Sequence, residues 1–218
     1  MSFGSCLLEF HQIGTAPAKP GIYAWYYRQV ISDRDLKDLN IRLVGVNEAK
    51  KRELLQDFLL RRVFGAFVLP PYRAEMKAPL QPPFCGQLEH HQEVSKSLLD
   101  RLCADPNRLR VIKRVLEAAV PEFASPIYIG MSDDLCTRLR THKSLIERYA
   151  SAEVHITDAP STDDQTKRDH SFAREVIERR LSLNGLLVAI RPIEGEASEQ
   201  ADVENVLNRI NFPICGRN

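Results

Sequence analysis

Four side chains at two distant places in this chain have the chemistry to act together on a phosphate. Tyr23 sits in KPGIYAWYYR two residues after Gly21, and Tyr128 sits in SPIYIGMSDDLCTRLRTHK two residues before Gly130. Each tyrosine lies beside a glycine on a β-prone run, so each phenol can be presented where the backbone allows close approach. Arg138 follows Gly130 by eight positions and His142 follows Arg138 by four. That last spacing puts both side chains on one face of a helix. A guanidinium forks onto phosphate oxygens, phenols hold or pass a proton, and an imidazole titrates near neutrality. Together these are the parts that phosphoester chemistry needs.

Positioning them requires two strands and a helix. Residues 20–30 read as a strand, opened by the turn-forming Pro20-Gly21 and continued by IYAWYY. Residues 126–130 read as a second motif strand, followed by Ser132-Asp133-Asp134, whose hydroxyl and two acids suit a helix start. That helix is expected to reach about Tyr149. The alternating IRLVGV at 41–46 predicts another strand, and 48–64 predicts a helix with Leu54, Leu55, Phe58 and Leu59 on its apolar stripe. The prolines of LPPYRAEMKAPLQPPFCG predict an irregular stretch, because they exclude regular helix. A helix pair is expected at 91–103 and 107–119, parted by Asp105-Pro106-Asn107. Further on, 158–167 reads as an exposed loop, 169–182 as an amphipathic helix, 186–193 as a third motif strand, and 199–210 as a final helix before Phe212-Pro213. There is no internal repeat.

The chain has 218 residues, 44% of them apolar and 27% charged, enough for one large domain or two small ones with a real core. No apolar run reaches membrane-spanning length, and the first residues carry Glu9 and no basic leader, so a cytoplasmic protein is expected. Five scattered cysteines without a CxxC pair argue against a disulfide framework or a zinc site, and favour reduced, mostly buried thiols. The net charge is only +1, yet residues 28–120 hold 17 Lys and Arg against 12 Asp and Glu. That local excess suits phosphate contact, though a solvated surface would look the same.

The spacing of GIY and YIG, with Arg138 and His142 on the following helix, resembles the GIY-YIG nuclease superfamily. The resemblance covers about 18–30 and 124–218. It implies an α/β (α+β) fold with a small, mainly antiparallel three-stranded sheet flanked by helices. It implies metal-dependent hydrolysis of DNA phosphodiester bonds with Mg²⁺ or Mn²⁺. Glu204, in ADVENVLNRINFP upstream of Pro213, matches the superfamily's metal ligand; the asparagine that often follows the proline has only Asn218 as a candidate. In the roles so implied, Tyr23 orients or deprotonates the water, Arg138 binds the scissile phosphate, and Tyr128 and His142 complete a proton relay. One departure stands out: Tyr23 and Tyr128 lie 105 positions apart, where most members have a hairpin-sized gap. A connection that long predicts a mainly helical inserted subdomain over 31–122 within a single nuclease domain, 1–218. Its Lys50, Lys51, Arg52, Arg61 and Arg62 are the candidate contacts to DNA, duplex rather than single-stranded.

Taken singly, each residue has an ordinary reading: strand tyrosines pack, and helix arginines and glutamates face solvent. The specificity lies in five elements in the right order. His90-His91 with Glu89 and Glu93 invites a metal reading, but adjacent histidines on a helix point apart. Trp25, Tyr26 and Tyr27 could stack a base, but aromatic strands are more often core. A compact single-module enzyme of this kind resembles restriction or phage-defence nucleases more than repair nucleases. The alternative is a non-catalytic or partner-activated nucleic-acid-binding or assembly subunit that keeps the fold, with the insertion serving a protein partner or a homodimer.

Overall fold

The computed structural model describes residues 6–69, 71–120, 122–151, 164–193 and 197–216. Two compact units emerge: residues 31–112 form one, and residues 1–30 with 113–218 form the other.

In the unit built from the two chain ends, the strands are β1 (Cys6–Glu9), β2 (Gly21–Tyr27), β5 (Tyr128–Ser132) and β6 (Leu186–Pro192). They form one sheet in the order β1-β6-β2-β5, antiparallel throughout. The expected small antiparallel sheet flanked by helices is present, with β1 adding a fourth strand at the β6 edge. The strand β2 is central and buried along most of its length, as a near-continuous apolar run should be. Helices α5 (Leu135–Ala150), α6 (Asp164–Glu178) and α7 (Ala197–Asn211) belong to this unit. Trp25, Tyr23 and Phe172 are its largest fully buried side chains, joined by Leu135, Leu139, Ile146 and Leu186. Beyond α7, the Cys215 amide donates to the Ile127 carbonyl at 2.8 Å, which pins the chain's end to the approach of β5.

The other unit holds α1 (Asp33–Leu43), α2 (Glu48–Leu59), β3 (Tyr72–Ala78), β4 (Gln81–Leu88) and α3 (Lys96–Ala104), and α4 (Arg108–Ala119) begins in it. Two expectations fail here. The IRLVGV stretch is not a strand: Ile41–Leu43 end α1, and Gly45 turns the chain at φ +72°. Local alternation there loses to a capping box, in which Ser32 and Asp35 satisfy each other's amides, and to the buried spacing of Leu36, Leu39 and Leu43. The proline-rich stretch is not irregular: it forms the hairpin β3–β4, with Pro82 and Pro83 inside β4. Proline excludes a helix but is tolerated on an edge strand, and both strands of a two-stranded ribbon are edges.

Smaller differences follow similar logic. Helix α2 stops at Leu59 and runs on as a π turn over Leu60–Phe64. Helix α3 starts at Lys96, so His90 and His91 precede it outside any helix or strand. Helix α6 starts at Asp164; residues 158–163 of the expected loop lie outside the described residues. Only Cys103 and Cys215 of the five free thiols are buried; Cys6 and Cys85 are exposed and Cys136 is partly exposed. Among the described residues, no helix is long and apolar enough to cross a membrane.

Candidate active site

The site is set by the register of β2 against β5. Tyr23 lies opposite Gly130, and Trp25 lies opposite Tyr128. Tyr23 and Tyr128 are therefore diagonal neighbours on one face, and their rings stack at 6.1 Å. A Cβ on Gly130 would come within 2.5 Å of the Tyr23 hydroxyl oxygen and 3.0 Å of the Tyr128 ring. The glycine is what lets Tyr23 lie across the strand. Gly21 is equally constrained, for a Cβ there would run into the Arg191 carbonyl and the Leu135 side chain.

Helix α5 brings the other two residues. Its first turn is capped by Asp134, whose carboxylate accepts from the amides of Cys136 and Thr137; Ser132, the expected cap, bonds Asp134 instead. From this helix the Nε of Arg138 donates to the Tyr23 hydroxyl at 3.0 Å, and His142 Nε2 lies 2.8 Å from the same oxygen. With Arg138 donating to the phenol oxygen, the phenol donates its own proton to His142 Nε2 in the tautomer that carries the histidine proton on Nδ1. That Nδ1 has no hydrogen-bond partner among the described residues. Trp25, Tyr128 and Phe172 surround the imidazole at ring-centroid distances of 6.1, 5.6 and 5.2 Å.

Burial governs the electrostatics. It raises the Tyr23 phenol well above its ordinary range, Tyr128 adding to the effect and Arg138 opposing it. It lowers His142 well below the usual imidazole range, and the Arg138 charge lowers it further. Tyr128 is raised by burial as well, Arg138 opposing and the charges of Asp169 and Glu204 adding to it. Burial also works against the Arg138 charge, but Tyr23, Asp169 and Tyr128 together outweigh it and hold the guanidinium protonated. In the ligand-free protein the proton therefore stays on Tyr23, and His142 is neutral.

Glu204 is half-buried on α7, a helix that packs against β5 and β2, and its charge reaches Tyr128. Five sequence-predicted residues thus belong to one neighbourhood: four in ring or hydrogen-bond contact, and Glu204 through its field. Asn218 lies outside the described residues. Sequence reasoning missed Asp169, buried on α6 and ion-paired with Arg138. One signal was available: Asp169 falls on the same helical stripe as Phe172, Ala173 and Val176, where an acid is out of place.

The five basic candidates all have partners inside their own unit. Lys51 Nζ donates at 2.6 Å to the Cys103 carbonyl in the last turn of α3. Arg52 joins Asp100 across α2 and α3 at 2.5 Å, and Arg62 joins Asp35 of α1 at 2.7 Å. Lys50 pairs with Glu53 at 2.6 Å and Arg61 with Asp57, each within one or two turns of helix. Around the excluded histidine pair, His91 lies 3.6 Å from Glu89. No group of three or more His, Cys, Asp or Glu side chains among the described residues is arranged to hold a metal. No family model, no curated protein and no solved structure matches this chain.

Proposed function

We propose that this protein is a metal-dependent endonuclease that hydrolyses DNA phosphodiester bonds and that it is a divergent GIY-YIG nuclease. One observation carries the reading: the hydrogen-bonded run Arg138–Tyr23–His142, assembled from residues more than 110 positions apart, with Tyr128 stacked on it. Packing alone does not call for a cation, a phenol and an imidazole joined end to end in a core. A hydrolytic centre does.

Arg138 is the phosphate-binding cation, and its donation to Tyr23 stabilises negative charge on the phenol oxygen. His142, kept neutral by burial, is in the form that can accept the phenol proton, so Tyr23 can turn on an attacking water. Mg²⁺ commonly uses one or two carboxylates and completes its shell with water and substrate phosphate. The single Glu204, with its charge beside Tyr128, fits a cation shared in that way rather than a closed protein cage. When bound there, such an ion supplies the positive charge that lowers the pKa of a water and of the phenols. The paired basic residues are no obstacle to duplex binding, because exposed ion pairs are worth at most about 1 kcal/mol and exchange readily for phosphate. A restriction or phage-defence setting suits a nuclease of this form.

The test is incubation with plasmid, linear and single-stranded DNA under Mg²⁺ or Mn²⁺, with the ends mapped. Arg138→Ala and Glu204→Ala are expected to lower cleavage by roughly 10²–10³-fold, the scale of removing one oriented charge-stabilising group. Undiminished cleavage in both variants sinks the reading. A partner-activated form is the second reading, and the burial of Tyr23 (1% exposed) and His142 (0%) favours it. Salt-dependent DNA affinity without cleavage by the isolated protein would select it.

A further inference from the structure

We propose that Asp169 is a positioning residue for this site, holding the Arg138 guanidinium so that its Nε faces the Tyr23 hydroxyl. The catalytic consequence rests on the hydrolytic reading above; the positioning itself does not.

The argument begins with where Asp169 is. It lies on the apolar stripe of α6, 3% exposed, three, four and seven residues before the fully buried Phe172, Ala173 and Val176. A carboxylate in such a place is retained only with a charged or hydrogen-bonding partner. Arg138 Nη1 donates to Asp169 Oδ2, and His142 Nε2 lies 3.9 Å from Asp169 Oδ1. Asp169 therefore ties directly to one of the α5 residues that address Tyr23 and lies near the other, outside hydrogen-bond range.

Geometry gives the pair its use. A guanidinium is a rigid plane, but the chain carrying it rotates freely, so one hydrogen bond leaves the plane able to swing. Arg138 is tied at two of its nitrogens to two different elements: Nε to Tyr23 on β2 and Nη1 to Asp169 on α6. Two ties from separate elements fix the plane. The position of Asp169 is in turn secured by neighbours that do not take part in the pair. Phe172 packs on Tyr128 at 4.6 Å and on His142 at 5.2 Å. The Tyr149 hydroxyl bonds His170 Nδ1 at 2.8 Å, which locks α6 against α5 one residue from Asp169. A pair that served only to neutralise buried charge would not need a register held this tightly at the Arg138 end.

The experiment compares wild type with Asp169→Asn and Asp169→Ala. Two quantities are read: hydrogen exchange of the Arg138 Nε–H by NMR, assigned through its disappearance in Arg138→Ala, and the kcat and KM of DNA cleavage. Thermal melts establish the folded fraction of each variant. In Asp169→Ala the Nε–H is expected to exchange roughly tenfold faster or more, the scale of losing one charge-assisted hydrogen bond. Cleavage is expected to lose on the order of 10² in kcat with KM within about threefold, the signature of a misplaced group rather than weakened substrate binding. Asp169→Asn keeps an acceptor oxygen for Nη1 and is expected to fall between the two, which also covers the case in which the alanine variant does not fold. Unchanged Nε–H exchange in the folded variants overturns the proposal. So does a loss of cleavage that merely follows the unfolded fraction. If wild type cuts no DNA, the nuclease reading falls and the exchange measurement alone decides the positioning role.

Discussion

The two units of this molecule treat charge in opposite ways. In the unit of residues 1–30 and 113–218, Asp169 and His142 are buried, and the partly buried Arg138 and the Tyr23 phenol link them into one hydrogen-bonded run. In the unit of residues 31–112, charges stay at the surface, and the hairpin β3–β4 is exposed along its whole length. One face of that hairpin pairs Tyr72 with Leu88 and Met76 with Phe84, each about 60% exposed, while Arg73, Glu75 and Lys77 alternate onto the other. Chemistry that requires dry, fixed donors can reside in the first arrangement. The second offers adaptable contact, where individual charges matter little and apolar surface remains open.

The largest effects should therefore come from the shared core of the site. Phe172 touches Trp25, Tyr128 and His142, so Phe172→Ala is expected to lower stability by about 3–5 kcal/mol in a denaturant titration. A loss below about 1 kcal/mol would erase the contrast between the units, since surface changes lie in that range.

A second effect concerns protons. The folded His142 titrates well below its unfolded value, because burial and Arg138 disfavour its charge. Below the unfolded pKa of about 6.5 the unfolded chain binds a proton that the folded protein refuses, so stability falls as pH drops. The expected slope from this group approaches ~1.4 kcal/mol per pH unit between roughly pH 6 and 5, and is absent above about pH 7.5. Unfolding measured against pH in wild type and His142→Phe checks this: the variant should lose that part of the slope. An equal slope in both would mean that water or protons reach the imidazole.

The smallest effects belong to the exposed pairs. Arg61→Ala and Lys50→Ala are expected to change stability by less than about 0.5 kcal/mol, since each breaks one exposed helix pair. Their loss should instead reduce the salt dependence of DNA affinity by roughly one unit of slope for each phosphate contact removed. An unaltered salt slope would remove Lys50 and Arg61 from the interface and sharpen the contrast further.

What could be read in advance, and what could not, follows the range of the deciding interaction. Gly21 with Tyr23, and Tyr128 with Gly130, were legible as short motifs of near neighbours, whereas the contact of Tyr23 with Gly130 joins residues 107 positions apart and showed only in the fold. Arg138 and His142 were legible through helical spacing. Asp169 was not, for its partner lies 31 positions away on another helix. The partners of the basic cluster were out of reach for the same reason: Asp35 and Asp100, which answer Arg62 and Arg52, lie 27 and 48 positions from them in sequence. In α1, a local β pattern was legible but lost to a capping box just upstream. In the hairpin, prolines spoke clearly against a helix and said nothing about edge strands.

The place of β2 between β6 and β5 also shapes how the protein is made. Both of its neighbours are synthesised long after it, β5 from residue 128 and β6 from residue 186. At roughly 5–20 residues per second, β2 waits on the order of ten seconds or more for either edge to be covered. Throughout that interval Tyr23 has neither Arg138 nor His142, so a nascent or truncated chain carries none of the assembled site. A cell making this protein therefore meets the assembled run Arg138–Tyr23–His142 only after residue 142 has been translated, and a fully flanked β2 only after residue 186.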